Sequence, residues 1–252
     1  MKASLIGMNQ EFRFRGEEQS RIETFSDAVF ALAITMLIVS TQVPKDFNEM
    51  LTFMADVVPF GLCMALIVYI WHEHFVFFLR YGFRNTKVVV LNALLLFFIL
   101  FYVFPLKFLA KLLVGMYGGF IARLLDYDST SLIKMSDMIE VGDMSSLMVI
   151  YGLGATAIFI LLLLMYRYAL KQKDILGLNE IEVFDTRSSI YTHAIMASVP
   201  ALSALVSLLF GRYWFASMIS GFLYMAYPII FSIYGRKRKK KRQTLLSNNI
   251  DM

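Results

Sequence analysis

Six runs of predominantly apolar residues, near 24–43, 53–79, 87–110, 146–168, 189–210 and 213–234, fill most of this chain. A helix needs about 20 such residues to cross the roughly 30 Å hydrocarbon layer of a bilayer. In lipid every backbone N–H and C=O must find a partner within the protein, so only helices and closed barrels span it. The runs are continuous, whereas barrel strands alternate apolar and polar residues. The sequence therefore predicts an all-α polytopic membrane protein with six transmembrane helices. Hydrophobic residues make up 58% and charged residues 17% of the chain, which leaves no material for a soluble domain. The longest connection, about residues 111–145, is too short and too mixed to bury a core of its own. The expected organisation is an N-terminal arm (1–23), a six-helix unit (24–235) and a basic tail (236–252), without internal duplication. A secretory signal peptide would end its apolar run in small residues at a cleavage site. Here Ala31 and Ala33 sit mid-run, so the first run reads as a retained helix. The single cysteine, Cys63, excludes a disulfide framework or a cysteine metal site within one chain.

The charges are unevenly placed. Lys and Arg gather in the N-terminal arm (Lys2, Arg13, Arg15, Arg21), after the second run (Arg80, Arg84, Lys87), after the fourth (Arg167, Lys171, Lys173, Arg187) and in RKRKKKR, Arg236 to Arg242. The alternate connections are poorer: Lys45 lies beside Asp46 and Glu49, and Arg212 stands alone between the last two runs. The third connection carries Asp126, Asp128, Asp137, Glu140 and Asp143. By the positive-inside rule both termini are cytoplasmic. The basic tail is read as topology, with membrane lipids and no nucleic acid as partners. Within the third connection KLLVGMYGGFIARLLDYD has the pattern of a short amphipathic surface helix, and SLIKMSDMIEVGD of another turn or two. Pro105 and Pro200 are expected to kink or end their helices locally.

This topology brings several polar residues to one membrane level. The first run begins with Thr24 to Asp27 at the cytoplasmic end, the second returns there in YIWHEHFVFFLR, and the third carries Asn92 one turn inside. An Asp at a membrane-helix centre costs roughly 2.5–3.5 kcal/mol on insertion scales unless it is partnered. Mutual hydrogen bonding among Arg21, Ser26, Asp27, Trp71, His74 and Asn92 removes much of that cost and has a structural role. Two functional readings compete with it. His72, Glu73 and His74 are metal-ligating types, but residues two apart on a helix point about 200° from each other, which argues against a metal site. Asp27 with His74 has the chemistry of a proton relay in a proton-coupled secondary transporter, and that alternative stays open. His193 reads as a satisfied core residue. No nucleophile lies near a plausible base, so no enzyme is expected.

At 100° per residue from Leu32, Phe25 falls at about 20°, Met36 at about 40° and Val39 at about 340°. They form one apolar face, with Thr35 at its edge near about 300°, while Ser26 and Asp27 turn elsewhere. Periodicity alone assigns such a face to lipid or packing.

The pattern Arg-x-x-x-Phe-Ser-Asp (Arg21, Phe25, Ser26, Asp27) followed by AVFALAITMLIV resembles the signature of the endolysosomal potassium channel family and its bacterial and archaeal relatives. Trp71-x-x-His74 and LNALLLFFILFYVFP (Leu91 to Pro105) extend the likeness. The resemblance implies a potassium channel in which potassium ions, and no cofactor, pass a central pore lined by the first helices. It implies a prokaryotic single-repeat subunit that assembles as a homotetramer in the cell membrane. It further implies hydrophobic constrictions at Leu32, Met36 and Val39 with Thr35 as a polar layer, in place of a carbonyl filter. In that family the Arg, Ser and Asp of the motif with the Trp, His and Asn form a hydrogen-bonded network that holds the pore helix. Met36 and Val39 depart from the Leu or Ile usual at those layers, and the third connection is longer than a prokaryotic member would suggest.

Overall fold

The computed structural model of the chain describes residues 12–39, 44–124 and 143–250, and among them only helices and connecting turns occur. In chain order the helices are α1 (Arg21–Val39), α2 (Phe47–Ala55), α3 (Val57–Tyr81), α4 (Thr86–Leu124), α5 (Met144–Lys171), α6 (Glu180–Phe210), α7 (Trp214–Phe222) and α8 (Ala226–Ile250). A 3₁₀ turn, Leu223–Met225, joins the last two. Among the described residues five segments are long and apolar enough to cross a bilayer: α3, α4, α5, α6 and the stretch Phe215–Ser247 spanning α7 and α8. The chain is a multi-pass membrane protein. The 19 residues of α1 give it a length of about 28 Å, close to the hydrocarbon thickness.

Local chemistry explains where the boundaries differ from those expected. Ser20 and Glu23 form a capping box that starts α1 at Arg21: the Glu23 amide donates to Ser20 Oγ, and Ser20 N–H donates to Glu23 Oε1 at 3.0 Å. Asn179 and Glu182 form the same motif and start α6 at Glu180, well before 189. The third connection does not open with a separate amphipathic helix, because α4 continues unbroken through KLLVGMYGGFIARL. Residues 125–142, with most of its acids and nearly all of SLIKMSDMIEVGD, lie outside the described residues. Pro105 and Pro200 sit inside continuous helices and end neither. The sixth run is interrupted. Pro228 has no N–H to offer the carbonyl of Tyr224 and crowds it, and the 3₁₀ turn centres on that residue. The basic tail is helical, the continuation of α8.

The bundle packs around Phe77, Phe78, Leu95, Leu162, Met165 and Tyr166, all fully buried. Lipid is as apolar as these side chains, so close packing and interhelical hydrogen bonds hold the helices together. A Cβ on Gly152 would stand 2.6 Å from Pro200 O, so this glycine of YGLG lets α5 approach α6. Ser220 Oγ donates to Ser203 O at 3.1 Å and accepts from Ser207 Oγ at 2.7 Å, joining α7 to α6.

At the end carrying the motif, the arm folds beneath the bundle. Phe12 is buried against Tyr81 and Arg80, and Gly16 N–H donates to Leu79 O at 3.1 Å. Gly82 at φ 59 is the left-handed residue that ends α3 and lets the chain turn there. Glu182 is fully buried and receives Arg13 and Arg15, each with a nitrogen 2.9 Å from Oε2. One turn further on, the buried carboxylate of Asp185 receives Arg242 at 3.1 Å and Arg238 at 3.7 Å. Arm and tail are therefore clamped to one stretch of α6. Glu182→Ala should release the arm, and trypsin should then cut after Arg13 and Arg15 about tenfold faster than in the parent, as followed by mass spectrometry. Equal cleavage rates would show that Phe12 and the Gly16–Leu79 bond hold the arm without Glu182.

Candidate functional site

The site begins where α1 meets α3 and α4. Ser26 is fully buried and its Oγ donates to Ile22 O at 2.8 Å within the helix. Its lone pair faces Asn92 on α4, whose Nδ2 donates to it at 2.8 Å. The carbonyl end of the same amide, Oδ1, lies 2.8 Å from His74 Nε2 on α3. Since the Ser26 proton is committed to Ile22, the amide must donate toward Ser26, and His74 must carry its proton on Nε2. His74 and Asn92 are buried, and the His74 ring packs between Phe30 and Phe78. Asp27 has separate partners: Trp71 Nε1 donates to Oδ1 at 2.8 Å and Gln19 of the arm donates to Oδ2 at 3.2 Å.

Three helices and the arm thus share one polar layer: the bonds from His74 through Asn92 and Ser26 to Ile22 run in one direction, while Asp27 accepts from both Trp71 and Gln19. Asp27 and His74 bond to different partners. Arg21 and Phe25 stand on the exposed side of α1, and among the described residues Arg21 forms no hydrogen bond or ion pair. His193 is fully buried, stacks on Tyr166 at 5.1 Å, and through Nδ1 donates to Ser189 O at 2.7 Å. Among the described residues no three His, Cys, Asp or Glu side chains group closely enough to share a metal ion.

The first helix has two faces. Ser26, Val29, Phe30, Ala33 and Leu37 recur at helical spacing and are buried against α3 and α4. The opposite arc is open: Phe25 is 64% exposed, Leu32 51% and Ile38 50%, with Ala28, Ala31 and Thr35 exposed among them. Thr35 bonds back to its own helix, Oγ1 to Ala31 O at 2.9 Å, as an exposed hydroxyl in an apolar setting must. Met36 is half-buried and packs at the edge of the core. Val39 closes the helix, and its side chain lies outside the described residues. The open arc is centred nearer Thr35 than Leu32. Ile38, Ala28 and Ala31 belong to it although the apolar pattern did not select them.

Residues 21–102 match the family described as the endosomal/lysosomal potassium channel TMEM175. A potassium channel of Marivirga tractuosa is 45% identical over 247 residues, covering 97% of this chain and 98% of the relative. The chain belongs to the TMEM175 potassium channel family. A second relative, a potassium channel of Chamaesiphon minutus, is 31% identical over 105 residues, 38% of this chain and 52% of that one. The crystal structure of a variant of the potassium channel MtTMEM175, bound to a nanobody fusion protein, has a TM-score of 0.81 and 45% identity. The match covers 92% of this chain and 99% of that one. TMEM175 proteins are potassium channels rather than enzymes. The matched TMEM175 segment runs from the start of α1 to the middle of α4 and so contains every helical residue of the hydrogen-bonded layer. Gln19, Ser20 and the arm that carries them lie just before it. A capping-box pattern, Ser-x-x-Glu, was the signal in the sequence that marked their place.

Proposed function

We propose that this TMEM175-family chain is a potassium channel in which four copies surround a central pore lined by α1. The carrying observation is the two-faced first helix. One face is fastened by the Ser26–Asn92–His74 and Asp27–Trp71 bonds, while on the other Phe25, Leu32 and Thr35 are exposed among the described residues. A helix held so firmly on one side and bare on the other is suited to a symmetric assembly that gathers the bare faces around an axis. The relatives from Marivirga and Chamaesiphon are named potassium channels, which supports the choice of ion.

In this reading six helices cross the membrane, α1 among them, and both termini are cytoplasmic. The basic ends of α3, α5 and α8 lie with the arm, which favours that orientation. Localisation in the cell membrane of a prokaryote follows. Leu32, Met36 and Val39 are the hydrophobic constrictions, closing the pore by contact and dewetting, and Thr35 is the polar layer between them. The permeating potassium ion is the only ligand the mechanism needs. The network residues Ser26, Asp27, Trp71, His74 and Asn92 position α1 and do not touch the ion, whereas Arg21 and Phe25 of the motif stand on the exposed side of the helix and take no part in these bonds. Asp27 and His74, each engaged by a different partner, are better suited to this anchoring than to relaying a proton.

The protein reconstituted in liposomes with an outward potassium gradient should polarise the vesicles and let a counter-ion dye accumulate. Intact tetramers without potassium flux would remove the proposal.

A further inference from the structure

Beside the channel site, a cleft of about 740 Å³ opens at the motif end of the bundle, between the turn after α5, the start of α6 and the basic part of α8. Five cations line it from those three elements: Lys173, Arg187, Lys237, Arg238 and Lys241. Two carboxylates, Asp174 and Glu180, also line it, and both are exposed. Arg238 lies 3.7 Å from buried Asp185. Lys173, Arg187, Lys237 and Lys241 are exposed and form no ion pair among the described residues. Lys237 and Lys241 are four apart on one helix, an arrangement that repels unless an anion lies between or beside them.

The rest of the lining points to the kind of anion. Val183, Phe184 and Leu245 supply an apolar wall, so the ligand has an oily part as well as a charge. Tyr191 and Tyr234 stand beside it, and Tyr234 Oη donates to Ser188 O at 3.1 Å. The helix α8 is apolar up to Ile233 and basic from Arg236, so Tyr234 marks the depth at which hydrocarbon gives way to headgroups.

We propose that this cleft binds the phosphate headgroup of an anionic phospholipid, with the acyl end along Phe184 and Leu245. Cations gathered from separate helices at the cytoplasmic level are suited to hold such a headgroup. The inference does not depend on ion conduction, since binding is measured without a gradient.

Native mass spectrometry of the full-length protein, mixed with equal amounts of phosphatidylglycerol and phosphatidylcholine, tests it. The parent should retain phosphatidylglycerol in preference. Lys237→Gln with Lys241→Gln should lower that retention about tenfold or more. Lys239→Gln with Lys240→Gln removes the same charge from positions that do not line the cleft and should retain the lipid as the parent does. Arg187→Gln, on a different helix, should also lower retention and serves if the double variant fails to fold. Three results would each overturn the proposal: equal loss in both double variants, equal retention of the two lipids, or full displacement by millimolar inorganic phosphate.

Discussion

Leu32→Ala is expected to raise potassium flux in liposomes about tenfold, equivalent to lowering a barrier by about 1.4 kcal/mol, while the proposed tetramer persists. Leu32 is half-exposed and lies on the arc of α1 that is open among the described residues, so its truncation removes less internal packing than truncation of a buried residue such as Leu37. What it removes is apolar bulk from the proposed constriction, where a wider and more easily wetted passage lowers the barrier to an ion. Flux and oligomeric state are measured on the same preparation. Unchanged flux, or flux that falls together with tetramer content, would make the face a packing surface and leave the pore lining to be sought elsewhere. A reversal potential under opposed potassium and sodium gradients shows whether the widened variant also discriminates less.

Asn92→Leu should act in the opposite way, on the assembly and not on the barrier. The leucine fills the space but strands two buried groups, the Nε2–H of His74 and the lone pair of Ser26 Oγ. Each stranded group costs about 1–3 kcal/mol, and helix-to-helix bonds in membranes tend to the lower end. The expected outcome is a lower melting temperature in detergent and a smaller tetramer fraction, read by size-exclusion chromatography with heating. A variant that melts with the parent would show that water or a neighbouring side chain meets these groups. Comparing the two substitutions separates the faces of α1: one changes conduction with the fold intact, the other changes the fold.

How much of this was legible in the sequence depended on the kind of residue. A polar side chain in an oily helix is conspicuous and needs a partner, so Ser26, Asp27, Trp71, His74 and Asn92 could be grouped by depth alone. Their pairing could not, because sequence does not show that Asn92 stands between Ser26 and His74 while Asp27 turns to Trp71 and Gln19. Apolar residues are harder still. Leu32 and Leu37 are the same amino acid in the same helix, yet one is half-exposed and the other buried. The absolute rotation of a helix that is oily all round is set by its neighbours, and this is why the open arc is centred on Thr35. Charges misled in another way. By their positions Arg13, Arg15, Arg238 and Arg242 mark topology, and nothing in the sequence sets Glu182 and Asp185 apart as their partners. Only the fold shows that the acids are buried and that the cations meet them. The break near Tyr224 was readable from Pro228, and the early start of α6 from Asn179 and Glu182.

The clamp on α6 also has a consequence for biosynthesis. Arg13 emerges from the ribosome early, but its partner Glu182 is 169 residues later. At ordinary rates of synthesis that is a wait of roughly ten to thirty seconds. Asp185 must in turn wait for Arg238 and Arg242. The apolar helices can enter the membrane one after another in that interval, but the layer beneath them can close only once α6 and the basic part of α8 have been made. The arm that precedes α1 is therefore locked in place well after α1 itself has met α3 and α4.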